Sequence, residues 1–260
     1  MSRPKAVAVA LVTGAARGIG LAVSQAFARE GLRVAALDRD GAALAQSVAA
    51  LRSEGHDVAG FPIDLSDSKA VEQTVIAVES TLGPIAKLAS VAGILRVGPV
   101  CDFSDRDWND TFASNVSAAF YVCRSVAQRM LPRKAGSIVA VGSNAAAVAR
   151  SNMAAYAASK AALRSFMQCL GLELSEFGIR CNVVSPGSTD TDMQRAYWSD
   201  SQGASEIIAG NARSHRVGIP LQRMASADDV ADAVSFLSSE RARHITLHDL
   251  RVDGGATLGA

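Results

Sequence analysis

Short apolar runs punctuate the chain at residues 6–12, 33–37, 57–61, 87–91, 137–142, 179–185 and 249–252. They are short for helices and nearly free of polar alternation, the pattern of strands covered on both faces. Between most of them the apolar period changes. Leu21, Val23, Phe27 and Ala28 share a helical face, as do Val71, Val75 and Val78. Two longer helices are expected at about 104–130 and 153–177. Phe112, Phe120 and Val122 lie on the first, and Leu163, Phe166 and Leu170 on the second. Strands alternating with helices predict a mostly parallel, seven-stranded, doubly wound α/β sheet with right-handed crossovers. No Pro/Gly/Ser-rich linker divides the chain, so residues 1–260 are read as a single domain. The stretch from about 188 to 218 has mixed polarity, three glycines and little periodicity. A long irregular segment inside a compact fold predicts a lid.

Composition narrows the function. Hydrophobic content of 49% with 20% charged residues describes a globular chain. A net charge of +1 argues against a nucleic-acid or anionic-membrane partner, which needs a strong basic excess. No apolar run reaches the length of a membrane span. The run from Ala6 to Val12, after Arg3 and Lys5, sits at the low limit for a signal core, and the glycine-rich segment behind it has a better explanation. Cys101, Cys123, Cys169 and Cys181 are widely spaced without clustered histidines. They read as reduced core or near-core thiols of a cytoplasmic protein with no metal site.

Two motifs carry chemistry. TGAARGIG at 13–20 follows the first strand and opens a helix. Gly14, Gly18 and Gly20 permit a tight turn that brings backbone N–H groups and a helix N-terminus against a pyrophosphate. Asp38, ending the second strand, is placed to accept both ribose hydroxyls and to repel a 2′-phosphate, which favours NAD over NADP. Arg17 and Arg39 lie close enough in sequence to soften that preference. Asp64 suits an adenine-edge contact or a helix N-cap. The second motif is Tyr156–Ala–Ala–Ser–Lys160, with Ser143 thirteen residues before the tyrosine. On a helix Tyr156 and Lys160 are one turn apart. An ammonium beside a phenol favours the phenolate, a proton acceptor near neutral pH. Ser143, ending the fifth strand, would hydrogen-bond the same substrate oxygen.

With these residues in place the sequence resembles the short-chain dehydrogenases/reductases over nearly its whole length. The matching elements are TGAARGIG, Asp64–Leu65, Ala92–Gly93, Asn115–Val116, Ser143, Tyr156/Lys160, Pro186–Gly187 and the terminal Val252–Asp253–Gly254–Gly255. The resemblance implies a Rossmann-type fold and a tetrad of Asn115, Ser143, Tyr156 and Lys160. Tyr156 would be the acid/base and Ser143 the positioning hydroxyl. Lys160 would also bind the nicotinamide ribose, and Asn115 would support a water-linked proton relay. It further implies NAD contacts from Gly14, Arg17, Gly18, Ile19, Gly20, Asp38, Asp64, Leu65, Ala92, Gly93, Pro186, Gly187 and Thr189, and a homotetramer. One departure stands out. The family's Asn-Ala-Gly after the fourth strand is Val91–Ala92–Gly93 here, which removes an asparagine expected to brace the central strands.

A finer likeness lies in AGILRVG at 92–98, SPGSTDTDMQR at 185–195, GIPL at 218–221, HITL at 244–247 and VDGGATLGA at 252–260. It is similar to the subgroup acting on cyclohexadiene carboxylates in aryl-acid and siderophore biosynthesis. That likeness implies oxidation of the C3 hydroxyl of trans-2,3-dihydro-2,3-dihydroxybenzoate, with hydride passing to NAD⁺ and aromatisation following. The substrate carboxylate needs a cation, and Arg150 is the first candidate and Arg96 the second, each with a solvated alternative. Met193 and Gln194 are candidate ring contacts. Asn144 stands where the subgroup is expected to carry Asp, which leaves open an amino group in place of the C2 hydroxyl. Two other readings are a ketoacyl or secondary-alcohol dehydrogenase and a non-catalytic nucleotide-binding protein.

Overall fold

The computed structural model describes residues 8–196 and 203–259. Its strands are β1 (Val9–Thr13), β2 (Arg33–Asp38), β3 (Val58–Pro62), β4 (Ile85–Ser90), β5 (Gly136–Val141), β6 (Ile179–Pro186) and β7 (Asp249–Val252). They form one sheet in the order β3-β2-β1-β4-β5-β6-β7, and every pairing is parallel. The first two residues of the first apolar run, Ala6 and Val7, lie outside the described residues. The helices are α1 (Gly18–Arg29), α2 (Gly41–Ser53), α3 (Ser68–Leu82), α4 (Asp105–Phe112), α5 (Ala118–Met130), α6 (Ala154–Ser175), α7 (Asp192–Arg195), α8 (Gly203–Ala209) and α9 (Ala227–Ser238).

Alternate side chains of each strand point to opposite faces. Leu11, Leu37, Leu88 and Ile138 pack beneath α3, α5 and α6 through Val75, Val122 and Met167. Val12, Val34 and Val139 pack on the other face beneath α1, α2 and α9 through Phe27, Leu44 and Val234. Each such wholly buried side chain contributes about 1.5–3 kcal/mol relative to exposure. Helix entries are capped as the polar residues suggest. Asp67 accepts the N–H groups of Lys69 and Ala70 at the start of α3, and Ser226 forms a capping box with Asp229 at α9.

Three expectations need correction. The continuous helix at 104–130 is interrupted by a π-helical stretch, Ala113–Ser117, between α4 and α5. No glycine or proline marks it. The stretch holds Asn115, whose side chain is tied to neighbouring elements, and such bulges accommodate an extra residue at functional positions. Cys101 and Cys169 are exposed, whereas Cys123 and Cys181 are buried, and all four are free. The 188–218 stretch is not wholly irregular, since it carries α7 and α8.

The strand order reverses between β1 and β4, so their crossovers leave on opposite faces. That splits the helices apart above the carboxyl ends of these strands, where open α/β sheets hold their ligands.

Candidate active site

A cavity of about 530 Å³ opens at this switch point. One end is built by the β1–α1 turn. Gly14 has φ of +68° and lies against Ala92, whose Cα would be 3.0 Å from any added Cβ. A methyl at Gly20 would overlap the Gly14 carbonyl. Only glycine closes this turn, and it leaves α1's first N–H groups facing the cavity. Arg17, Gly18, Ile19 and Asp38 line the same end. The Asp38 carboxylate accepts the N–H of Ala16 at 3.1 Å and of Asp40 at 2.9 Å, which fixes it at the rim with lone pairs to spare. Arg17 pairs with Asp40, so its charge is partly committed. These residues fit the adenosine and pyrophosphate of a dinucleotide.

The exit of β4 is braced without an asparagine at position 91. The Thr13 hydroxyl accepts the N–H of Val91 at 3.0 Å and of Ala92 at 3.1 Å. Asn115 completes the brace. Its Oδ1 accepts the N–H of Ile94 at 2.7 Å, and its Nδ2 donates to the Ile94 carbonyl and to Ser159 Oγ, both at 3.0 Å. The Asn115 side chain is therefore fully engaged in holding the β4 exit to α6, and it is absent from the cavity lining. Thr13 was missed from sequence because a threonine ending a buried strand carries no signal of this role.

Ser143, Tyr156 and Lys160 meet in the middle of the cavity. Ser143 follows β5, and its hydroxyl accepts the Ala145 N–H at 3.2 Å. Lys160 is 4% exposed. Its Nζ donates to the Val141 carbonyl at 2.9 Å and lies 5.8 Å from the Tyr156 ring centroid. Burial pushes the Lys160 ammonium down to about 8. Burial raises Tyr156 above its ordinary value, and the Ser143 hydrogen bond only partly offsets this. In this structure burial therefore outweighs the lowering expected from the Lys160 charge. The same low-dielectric environment that disfavours the phenolate also weakens the cation meant to favour it.

The far end is formed by Pro186, Gly187, Thr189, Met193 and Gln194, with Asn144 and Arg150 opposite. Thr189 is buried and donates to the Gly187 carbonyl at 3.2 Å, whereas Met193 is exposed. Of the two lid carboxylates, Asp190 is in a bidentate pair with Arg195 and Asp192 lies in the first turn of α7. Tyr197 and Trp198 fall outside the described residues. The Asn144 amide donates to Asp253 Oδ2 at 3.3 Å. Burial alone would raise the Asp253 carboxyl, but hydrogen bonds from Thr257, Asn144 and the Gly255 N–H hold it below its ordinary value. Asn144 thus serves the Val252–Gly255 turn, and a carboxylate there would face another carboxylate.

Besides Asn115, three predicted residues are not brought to this cavity. Asp64 accepts the Ser66 N–H at 2.9 Å and lines a separate shallow groove beside α3. The cap role belongs instead to Asp67. Leu65 is buried beneath the sheet face. Arg96 is exposed and paired with Asp107 at 3.6 Å. Conversely, Met153, Ile207 and Arg216 line the cavity unforeseen. Among the described residues no group of three His, Cys, Asp or Glu side chains is placed to hold a metal. No helix among them is long and apolar enough to cross a membrane.

A glycine-turned dinucleotide end, joined to a serine, a tyrosine and a lysine in one cleft, has a known counterpart. The family model for short chain dehydrogenases matches residues 8–202. This chain belongs to the short-chain dehydrogenase family. As a member it is an oxidoreductase with an NAD(P) site. It is 50% identical over 251 residues to the 2,3-dihydro-2,3-dihydroxybenzoate dehydrogenase of Bacillus subtilis, covering 96% of each chain. It is 41% identical to the vibriobactin-specific 2,3-dihydro-2,3-dihydroxybenzoate dehydrogenase of Vibrio cholerae, covering 95% of each. Among solved structures, that of gox2181 superposes with a TM-score of 0.91 at 33% identity, covering 98% of this chain and 97% of the other.

Proposed function

We propose that this dehydrogenase oxidises the C3 hydroxyl of trans-2,3-dihydro-2,3-dihydroxybenzoate with NAD⁺, giving 2,3-dihydroxybenzoate for siderophore or related aryl-acid biosynthesis. The observation that carries this reading is the Ser143–Tyr156–Lys160 group within a dinucleotide-sized cavity, in a chain half identical to a relative bearing that activity's name. Bound NAD⁺ supplies the hydride acceptor. Asp38 at the rim takes the adenosine ribose hydroxyls, Gly14 to Gly20 wrap the pyrophosphate, and Pro186, Gly187 and Thr189 hold the nicotinamide end. A 2′-phosphate would meet the Asp38 carboxylate, which supports NAD over NADP.

Ser143 Oγ orients the C3 oxygen, and Tyr156 Oη takes its proton. Lys160 lies under the tyrosine and stabilises the phenolate as it forms. Asn115 keeps the β4 exit against α6, so the cofactor wall and the tyrosine keep their spacing. The oxidised ring is an enone that tautomerises to the catechol, and aromatisation makes the step effectively irreversible.

The chain is further read as a single cytoplasmic domain acting as a homotetramer. Buried, unpaired Cys123 and Cys181 support a reducing compartment. Exposed Trp108 on α4 and Phe120 on α5, the latter in edge contact with Phe166, support helix pairing between copies.

The test is NADH formation from trans-2,3-dihydro-2,3-dihydroxybenzoate, with NAD⁺ and NADP⁺ compared and trans-2,3-dihydro-3-hydroxyanthranilate run in parallel. Turnover of the diol with NAD⁺ is expected. Exclusive use of the amino substrate, or turnover of neither, would overturn the substrate assignment.

A further inference from the structure

The cavity is also lined by a cation that sequence did not foretell. Arg216 lines it together with Arg150 and Met153, and the Arg216 guanidinium lies 3.9 Å from the Met153 sulfur. Met153 in turn donates its N–H to the Arg150 carbonyl at 3.3 Å. The two arginines therefore converge on the same wall from different parts of the chain, Arg150 from the loop before α6 and Arg216 from the lid.

The backbone around Arg216 is fixed. Arg216 and Asn211 exchange both backbone hydrogen bonds, each 2.9 Å. Gly210 and Gly218 flank this short hairpin with positive φ, and any Cβ there would lie 2.6 Å from backbone atoms. The Ile219 N–H donates to the Ile208 carbonyl at 2.9 Å, tying the hairpin base to α8. Arg216 is thus presented by a tight, internally bonded turn, not by a slack loop.

Neither guanidinium forms a salt bridge among the described residues. The nearby Asp253 carboxylate is already engaged by Asn144, Thr257 and Gly255. Partial burial and then the neighbouring Arg216 charge lower Arg150 below its ordinary value, with Asp253 opposing. Two partly buried like charges without a shared anion repel one another, and a planar carboxylate between them would accept from both.

We propose that Arg150 and Arg216 together form the clamp for the substrate carboxylate, so that Arg216 of the lid, and not Arg96, is the second cation. This rests on the reading of the substrate as a cyclohexadiene carboxylate. It adds that recognition is shared between the loop before α6 and the Asn211–Arg216 hairpin.

The experiment compares wild type, R216Q, R150Q and R96Q on the carboxylate substrate and on the neutral trans-dihydrodiol that lacks the carboxyl group. R216Q and R150Q are each expected to raise KM for the carboxylate by roughly tenfold to a hundredfold, the loss of a charge-assisted hydrogen bond. KM for the neutral diol and the affinity for NADH should stay within about twofold, and R96Q should match wild type. An unchanged carboxylate KM in R216Q, or an equal loss on both substrates, would overturn the clamp. A separate arm is independent of turnover. Calorimetric binding of benzoate to wild-type protein in the presence of NAD⁺ should weaken in both R150Q and R216Q. If the diol carboxylate is not turned over but this weakening occurs, the clamp stands and the substrate assignment falls. If benzoate binds all variants alike, the clamp itself is refuted.

Discussion

Replacing Lys160 with methionine should make the protein more stable while removing its activity. The ammonium is almost wholly buried and has one hydrogen-bond partner, the Val141 carbonyl. Burial moves it from the ordinary 10.5 to about 8, a difference of about 3 kcal/mol against the charged form. Because the folded value lies below the unfolded one, the penalty is fully present below pH 8. It is relieved as pH rises from 8 towards 10.5. Methionine fills a similar volume without charge, and it forfeits the amine's bond to Val141, about 1 kcal/mol. The expected gain at pH 7 is therefore about 1–3 kcal/mol, or roughly 2–6 °C in Tm. The assay is urea unfolding of wild type and K160M at pH 7 and at pH 10, at one fixed protein concentration because assembly adds to apparent stability. The gap between the proteins should shrink by at least about 1 kcal/mol between the two conditions. A variant less stable than wild type at pH 7, or a gap that does not change with pH, would refute the reasoning.

Other outcomes follow from the same geometry. Since burial raises Tyr156, the oxidation rate should climb with pH from neutral into the alkaline range. Y156F should lose at least about a hundredfold in turnover while binding NADH normally in a fluorescence titration. N144D would set a carboxylate against Asp253 Oδ2, where the amide now donates at 3.3 Å. One of the two must hold a proton, so its folded pKa rises. Stability should be near wild type only below about pH 4, where the unfolded carboxyls are protonated too, and fall as pH rises, by about 1–3 kcal/mol at pH 8, read by thermal unfolding. D38S should relieve the repulsion of a 2′-phosphate and raise the NADP⁺/NAD⁺ ratio of kcat/KM at least tenfold. An unchanged ratio would remove Asp38 from cofactor choice.

The sheet was legible because its strands are buried on both faces and so show as unbroken apolar runs. Observed boundaries fall within two residues of the expected ones, apart from the start of β1 at Val9. At the end of β4 a polar contact decides. β4 ends at Ser90 because the next N–H, of Val91, turns to the Thr13 hydroxyl instead of the ladder. The glycine turn and the Ser143–Tyr156–Lys160 group were legible because each needs particular residue types at fixed spacing. The π-helical stretch at Asn115 was not, since helical periodicity runs on through it and the cause is a long-range tie to Ile94 and Ser159. Asp64 and Arg96 misled for a related reason. Each sits in a motif that points at the cleft, yet a local partner, the Ser66 N–H or Asp107, takes its charge. Arg216 lies in the least periodic part of the chain, and only the Asn211–Arg216 hairpin brings it to the cavity.

What unites the cleft is cation placed where the fold does not neutralise it. Lys160 is buried with a carbonyl as its hydrogen-bond partner, and Arg150 and Arg216 share a wall with no salt bridge to either among the described residues. Of the carboxylates nearby, Asp253 is engaged by Asn144 and Thr257 and Asp190 by Arg195. A core built for stability alone would pair or remove such charges. Their survival is explained if the missing negative charge arrives with the ligands and the reaction. The substrate brings a carboxylate to the arginines, and proton transfer brings a phenolate to Lys160. On this account the binding of each anion should stabilise the fold, and a benzoate titration should raise Tm in wild type but not in the R150Q/R216Q double variant. A Tm that rises equally in both would show that the carboxylate binds elsewhere and that the arginines' strain is not relieved by substrate.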